Sequence, residues 1–202
     1  MRVVQGLNNE SLSKVMSDIE SIEYQSWDSS MAATMEQFNK RLELFSDGLW
    51  RLIDDNNEVT AYMFFIRIKE EDAQKHYSWS DYSANGWCTN HDPNGDALFA
   101  VSIGSKKSTH GRYLFGNGIK SMEEGIYKNV KKIYACSRIP TLHNYFSNSD
   151  EVVINVDDER LSTDPVVKML YSCDFKPYKF CKEGFDVDSE SLGYSLTCLK
   201  TL

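Results

Sequence analysis

Apolar residues recur at helical spacing twice near the start of the chain. Leu12, Val15, Ile19 and Ile22 predict a helix over residues 9–24, capped by Asn9 or Ser11. Met31, Met35, Phe38, Leu42 and Phe45 predict a second helix over 31–45, stopped at Ser46-Asp47-Gly48. The period then shortens. Leu49 to Ile53 and Val59 to Ile68 read as strands joined by the turn cluster 54–57, a β-hairpin. Residues 69–96 are polar, with Trp79, Trp87, Asn94 and Gly95 embedded, and read as a long loop of the kind that often carries function. Ala97 to Ile103 is an apolar strand, 104–111 a polar loop, and 114–130 a helix with Phe115, Ile119, Met122, Ile126 and Val130 on one face. A strand over 132–136 follows, and residues 139–163 are irregular. Asp164 and Pro165 then open a short helix to Tyr171, as N-cap and first helical residue. Phe175 to Phe180 and Tyr194 to Leu199 are closing strands. The order α, α, β, β, β, α, β, α, β, β predicts a mixed α/β sheet.

Length and composition narrow this picture. A chain of 202 residues with 41% hydrophobic residues fits one domain over 1–202 with a sizeable core. A net charge of -8 argues against nucleic acid as a partner and is compatible with a cationic amine substrate. The five cysteines, Cys88, Cys136, Cys173, Cys181 and Cys198, form no CxxC and indicate neither a zinc site nor a disulfide framework. Free thiols, no signal-peptide pattern, and no apolar run longer than Ala61 to Ile66 lead to the expectation of a cytoplasmic protein without a membrane partner.

The centre of the chain holds the candidate chemistry. The strand Ala97–Ile103 feeds a polar loop that opens into a long helix. Amides at a helix start lack intrahelical partners and lie at the positive end of the dipole, so residues 104–111 can form an anion cradle, with Gly111 at its tightest point. An ordinary β-loop-α connection has the same appearance. His143 is a candidate general base, Arg138 stands at a strand end where α/β sites are built, and Asp81 could hold an ammonium. Cys136 reads as a small core residue rather than a nucleophile.

This segment resembles the acetyl-CoA-binding motif of the GNAT N-acetyltransferase superfamily: strand, turn, Q/R-x-x-G-x-G/A, helix. Ser108 aligns with the Gln/Arg, Gly111 with the first Gly and Tyr113 with the second Gly/Ala; His110 falls where Arg or Lys is common. Flanking stretches resemble one bacterial GNAT group that also occurs fused to amidase/nitrilase-type domains. These are Arg41-Leu42-Glu43-Leu44-Phe45-Ser46-Asp47-Gly48, Trp79 to Gly86, Cys136 to Pro140, Asp164 to Val167 and Glu190 to Tyr194. The resemblance implies a mixed, mostly antiparallel sheet flanked by helices. It also implies acetyl-CoA as cosubstrate and direct transfer to an amine of a small molecule or protein. Cofactor binding then falls to Val101, Ile103, Ser108, Thr109, His110, Gly111, Arg112, Tyr113 and Leu114, and acceptor binding to Trp79, Asp81 and Arg138. Tyr171 lies one residue beyond Leu170, the position where many GNAT enzymes carry the tyrosine that protonates the thiolate, and is the candidate acid beside the base His143. The bulk of Tyr113 requires its ring to point away or to stack on the cofactor. A homodimer is compatible with these readings. The alternative is a non-catalytic acyl-CoA-binding or interaction module.

Overall fold

The structure, a computed structural model, describes residues 1–7, 12–185 and 187–202. In chain order the elements are β1 (Arg2–Gln5), α1 (Leu12–Ser26), α2 (Met35–Phe45), β2 (Leu49–Ile53), β3 (Val59–Ile68), α3 (Glu70–Ala73) and α4 (Trp79–Ser83), followed by β4 (Ala97–Ser105), α5 (Ser108–Glu123), β5 (Lys132–Ser137), α6 (Pro165–Tyr171), β6 (Lys176–Cys181) and β7 (Ser195–Thr201). The predicted order is present with three additions, β1, α3 and α4. The predicted caps Asn9 and Ser11 lie outside the described residues.

The strands form one seven-stranded sheet in the order β1-β2-β3-β4-β5-β7-β6. Every neighbouring pair is antiparallel except β4 and β5, which run parallel. This is the expected mixed, mostly antiparallel sheet flanked by helices. Strand alternation sends successive side chains to opposite faces. Tyr62, Phe64 and Ile66 join Ile19, Ile22, Phe38 and Phe99 in the core under α1 and α2. Ala61, Met63 and Phe65 join Leu114, Phe115, Ile119 and Leu170 in a second core under α5 and α6. With both faces covered, β3 reads as a nearly continuous apolar run rather than an alternating one.

Helix α2 starts at Met35, not 31, because Thr34 caps it in a capping box with Gln37, and the bounds of α5 differ further. Helix α5 starts at Ser108, not 114, leaving only Lys106 and Lys107 between it and β4. Its first turn is polar because it is largely exposed, which imitates a loop in sequence. It ends at Glu123, not 130, because Gly125 takes a left-handed conformation (φ +84°) and turns the chain. The polar stretch 69–96 folds two short helices, and α4 is held by a capping box between Ser78 and Asp81.

Asp164 has a larger part than capping. Its carboxylate is fully buried and accepts from Val166 N (2.8 Å) and Val167 N (3.2 Å) on α6, and from Thr141 N (3.0 Å) and Thr141 Oγ1 (2.9 Å) beyond β5. It thus ties the segment after β5 to α6. Asp164→Ala should lower unfolding free energy by about 2–3 kcal/mol in urea denaturation, more than the roughly 1 kcal/mol of an ordinary cap, with Asp164→Asn recovering part of the loss.

Candidate functional site

The site begins where the parallel pair parts. β4 and β5 are in register from Ala97↔Lys132 to Ala100↔Ala135, and their pairing stops there. β4 continues to Ser105 against β3, and β5 to Ser137 against β7. A bulge in the β3–β4 ladder falls at the same place: Phe65 opposes Ala100 and Phe64 opposes Ser102, so Val101 is unopposed. The result is a wedge between residues 101–103 and 136–138.

Two cavities open into this wedge. An apolar cleft of about 70 Å³ lies on the α5–α6 side, walled by Met63, Ile103, Phe115, Cys136, Met169 and Leu170. A larger cavity of about 270 Å³ lies on the α1–α2 side, walled by Glu23, Arg41, Trp79, Asn85, Gly184 and Val187. Trp27, Val101, Ser102 and Phe185 border both. The indole of Trp79 donates to the Val101 carbonyl (2.8 Å), pinning the bulge, and its ring stacks on Phe185 (5.9 Å between centroids).

At the mouth of the wedge, the start of α5 has no side-chain cap: the residue before it, Lys107, makes none. Its first main-chain donors are therefore left to water or an anion. Gly111 is buried against β4, where an added Cβ would stand 2.9 Å from Ser105 Oγ. Ser108, Thr109 and Arg112 are exposed, and His110 is half-buried. Tyr113 is 49% exposed, so its ring points away from the crowded side of the helix. Leu114 is fully buried in the core beneath the sheet, which removes its side chain from any contact at the mouth.

The remaining predicted residues separate. Val101, Ile103, Trp79 and Arg138 border the cavities. Asp81 does not: it is the N3 residue of α4 and accepts from Ser78 N (3.0 Å) and Tyr77 N (3.1 Å). Burial works against its charge, but these hydrogen bonds prevail and hold its carboxyl below the usual range. His143 is exposed outside both cavities, with Nδ1 3.3 Å from the Glu190 carbonyl. Tyr171 packs half-buried against the core, and burial pushes its phenol up to about 12. Val166, Met169 and Leu170 line the cleft and Tyr171 does not, since one helical step turns a side chain by about 100°.

Arg138 is bound to protein carboxylates. Its Nε and Nη2 grip Asp188 at 2.9 and 2.8 Å, Nη2 also meets Glu190 at 2.5 Å, and its guanidinium lies 5.7 Å from the centre of the Trp27 ring. It therefore clamps Asp188 and Glu190, just past Val187 of the cavity wall, to the end of β5.

Sequence patterning missed a buried polar group on the α1–α2 side. Glu23 Oε1 accepts from Ala33 N (2.6 Å), Oε2 accepts from the Tyr62 hydroxyl, and Arg41 lies nearby. Burial is the main influence on Glu23 and raises its pKa, against the hydrogen bonds from Tyr62 and Ala33 and the field of Arg41. Burial likewise drives the Tyr62 phenol well above its normal value. Cys136, in the cleft, is pushed up to about 12 by burial. Both Glu23 and Arg41 interrupt apolar helical stripes, four residues after Ile19 and three after Phe38, and that interruption is the signal the sequence holds.

A mixed sheet split at its one parallel pair, with an uncapped helix start at the mouth, is the GNAT acyl-CoA N-acyltransferase fold. No family model matches the chain. It is 27% identical over 167 residues to the uncharacterized N-acetyltransferase YkwB of Bacillus subtilis (strain 168), covering 80% of this chain and 71% of that protein. Among solved structures it is similar to the loading GNATL domain of CurA from Lyngbya majuscula (TM-score 0.77, 12% identity, 99% of this chain and 96% of that one). It is also similar to the GphF GNAT-like decarboxylase in complex with isobutyryl-CoA (TM-score 0.73, 13% identity, 100% and 99%). Together these likenesses support a place in the GNAT N-acetyltransferase superfamily.

Two outcomes follow from this geometry. Arg138→Ala leaves Asp188, 1% exposed at its side chain, buried without its cation. Unfolding free energy should fall by about 3 kcal/mol in urea titration, and Arg138→Lys should restore only part, because lysine cannot make the forked contact. The second concerns pH. A carboxyl whose pKa is raised on folding stabilises fully below its unfolded value and loses that contribution as pH climbs through the folded value. As pH rises above about 4, wild type should therefore lose stability relative to Glu23→Gln, whose amide does not titrate, as read in denaturation curves across pH.

Proposed function

We propose that the chain is an N-acetyltransferase that passes the acyl group of acetyl-CoA to an amine held in the larger cavity. The observation carrying this reading is that the two cavities meet at Val101, where β4 loses its partner. Acetyl-CoA supplies the activated acyl group. Its acyl arm suits the apolar cleft, and its phosphates suit the uncapped start of α5, where the absence of a Cβ at Gly111 lets the helix sit close on β4. The name of YkwB supports the same chemistry, and the isobutyryl-CoA complex of the GphF decarboxylase supports an acyl-CoA as ligand.

Within the wedge, the edge of β4 freed from β5 offers main-chain donors to a thioester oxygen, and Trp79 holds that edge in place. Glu23 is the titratable carboxyl on the acceptor-side wall, and its raised pKa suits it to take a proton from an ammonium. His143 and Tyr171, outside both cavities, have no direct part in this arrangement. Cys136 is too well protonated to act as a covalent nucleophile, so the amine attacks the thioester directly.

The test pairs calorimetry with turnover. Acetyl-CoA should bind wild type, and free thiol should appear when an amine is added. Ser108→Asp puts a carboxylate at the first residue of α5, which suits the helix dipole but repels phosphate. Its thermal stability should hold or rise while acetyl-CoA affinity falls roughly tenfold or more. Gly111→Asp should abolish binding. Absence of binding to wild type at millimolar acetyl-CoA would refute the reading; binding without thiol release from any amine tried would leave a binding module instead.

A further inference from the structure

The wall of the larger cavity holds a buried cation with no carboxylate bound to its terminal nitrogens. Arg41 is 0% exposed. Its Nε donates to the Gly86 carbonyl (2.8 Å), and its guanidinium lies 4.9 Å from the centre of the Phe38 ring. The Cys88 thiol lies beside the guanidinium, but Nη1 and Nη2 have no nitrogen or oxygen hydrogen-bond partner among the described residues, and no carboxylate there stands within ion-pair distance of Arg41. Glu23, on the same cavity, does not fill the gap, because Ala33 N and the Tyr62 hydroxyl already engage its two oxygens. As the base of the transfer, Glu23 also becomes neutral once it has taken the amine's proton, so it is not a standing counter-charge to Arg41. Trp27 Nε1, from the opposite wall, is a third buried donor without a partner. A guanidinium cannot shed its proton, and a buried charge is tolerated only when something pairs with it. Its two free nitrogens have the planar, forked geometry that matches a carboxylate.

We propose that this cavity takes a carboxylate and that Arg41 receives it on Nη1 and Nη2, so that one of the two reactants is carboxylate-bearing. The inference rests on reading the cavity as the acceptor side of the transfer site. Because both cavities meet at Val101, the carboxylate can belong to the acceptor, as in an α-amino acid, or to the far end of the acyl chain.

Two matched pairs of ligands, measured by calorimetry on the intact protein, separate these sources. N-acetyl-L-phenylalanine and N-acetylphenethylamine differ only in the carboxylate on the acceptor part; malonyl-CoA and acetyl-CoA differ only in the carboxylate on the acyl part. The carboxylated member of one pair should bind roughly ten- to a hundredfold more tightly. That advantage should vanish in Arg41→Met and shrink in Arg41→Lys, which keeps the charge and loses the fork. A gain in the first pair assigns the carboxylate to the acceptor; a gain in the second assigns it to the acyl chain. No gain in either pair with wild-type protein overturns the proposal whether or not the variants fold, and so does a gain that folded Arg41→Met retains. If acetyl-CoA itself fails to bind, the transferase reading falls, while the first pair still decides whether the cavity selects a carboxylate.

Discussion

The parting of β4 and β5 after Ala100 and Ala135 is the constraint on which the rest of this structure depends. A sheet ordinarily pays for order by pairing its main-chain groups, and here it gives up several pairs in mid-sheet. The surrounding elements hold the gap open from both ends. On β4, the bulge at Val101 is pinned by Trp79 from α4; on β5, Arg138 binds Asp188 and Glu190, and Asp164 binds Thr141. Polar contacts thus anchor each margin of the wedge, while the apolar packing lies on the two faces, under α1–α2 and under α5–α6. A gap held at its edges can admit a ligand without asking the core to move.

Much of this frame was legible in the chain. Apolar periodicity located α1, α2 and the β2–β3 hairpin, and Asp164-Pro165 marked the start of α6 through the hydrogen bonds that the structure contains. The failures share a cause. β1 has only two apolar residues and exists because β2 offers it an edge. The first turn of α5 and the helices α3 and α4 are short or polar, and polarity in sequence does not separate an exposed helix turn from a loop. Tertiary context decided each of these.

The site was less legible than the fold, for a different reason. Arg138 could be picked out at a strand end, but its partners are 50 and 52 residues away, and no spacing connects them. Asp81 looked available because the Ser-x-x-Asp capping signature of Ser78 and Asp81 sits in a polar stretch with no apolar stripe to mark a helix. Glu23 and Arg41 were hidden in the opposite sense, as charges inside apolar stripes. Charge also distributes unevenly in space. The molecule as a whole carries -8, yet Lys106, Lys107 and Arg112 are exposed around the start of α5. An approaching anion meets that local field before the global one.

Cys136 gives the cleft one more property. The residue lines the cleft, while its side chain packs into the core under α1–α2. With burial holding it near 12, only about one molecule in a hundred thousand carries the thiolate at neutral pH. A thiol kept protonated by burial is a poor nucleophile, so this cysteine behaves as a small apolar side chain. The wall of such a cleft can therefore keep a cysteine as filler, provided the cysteine stays dry.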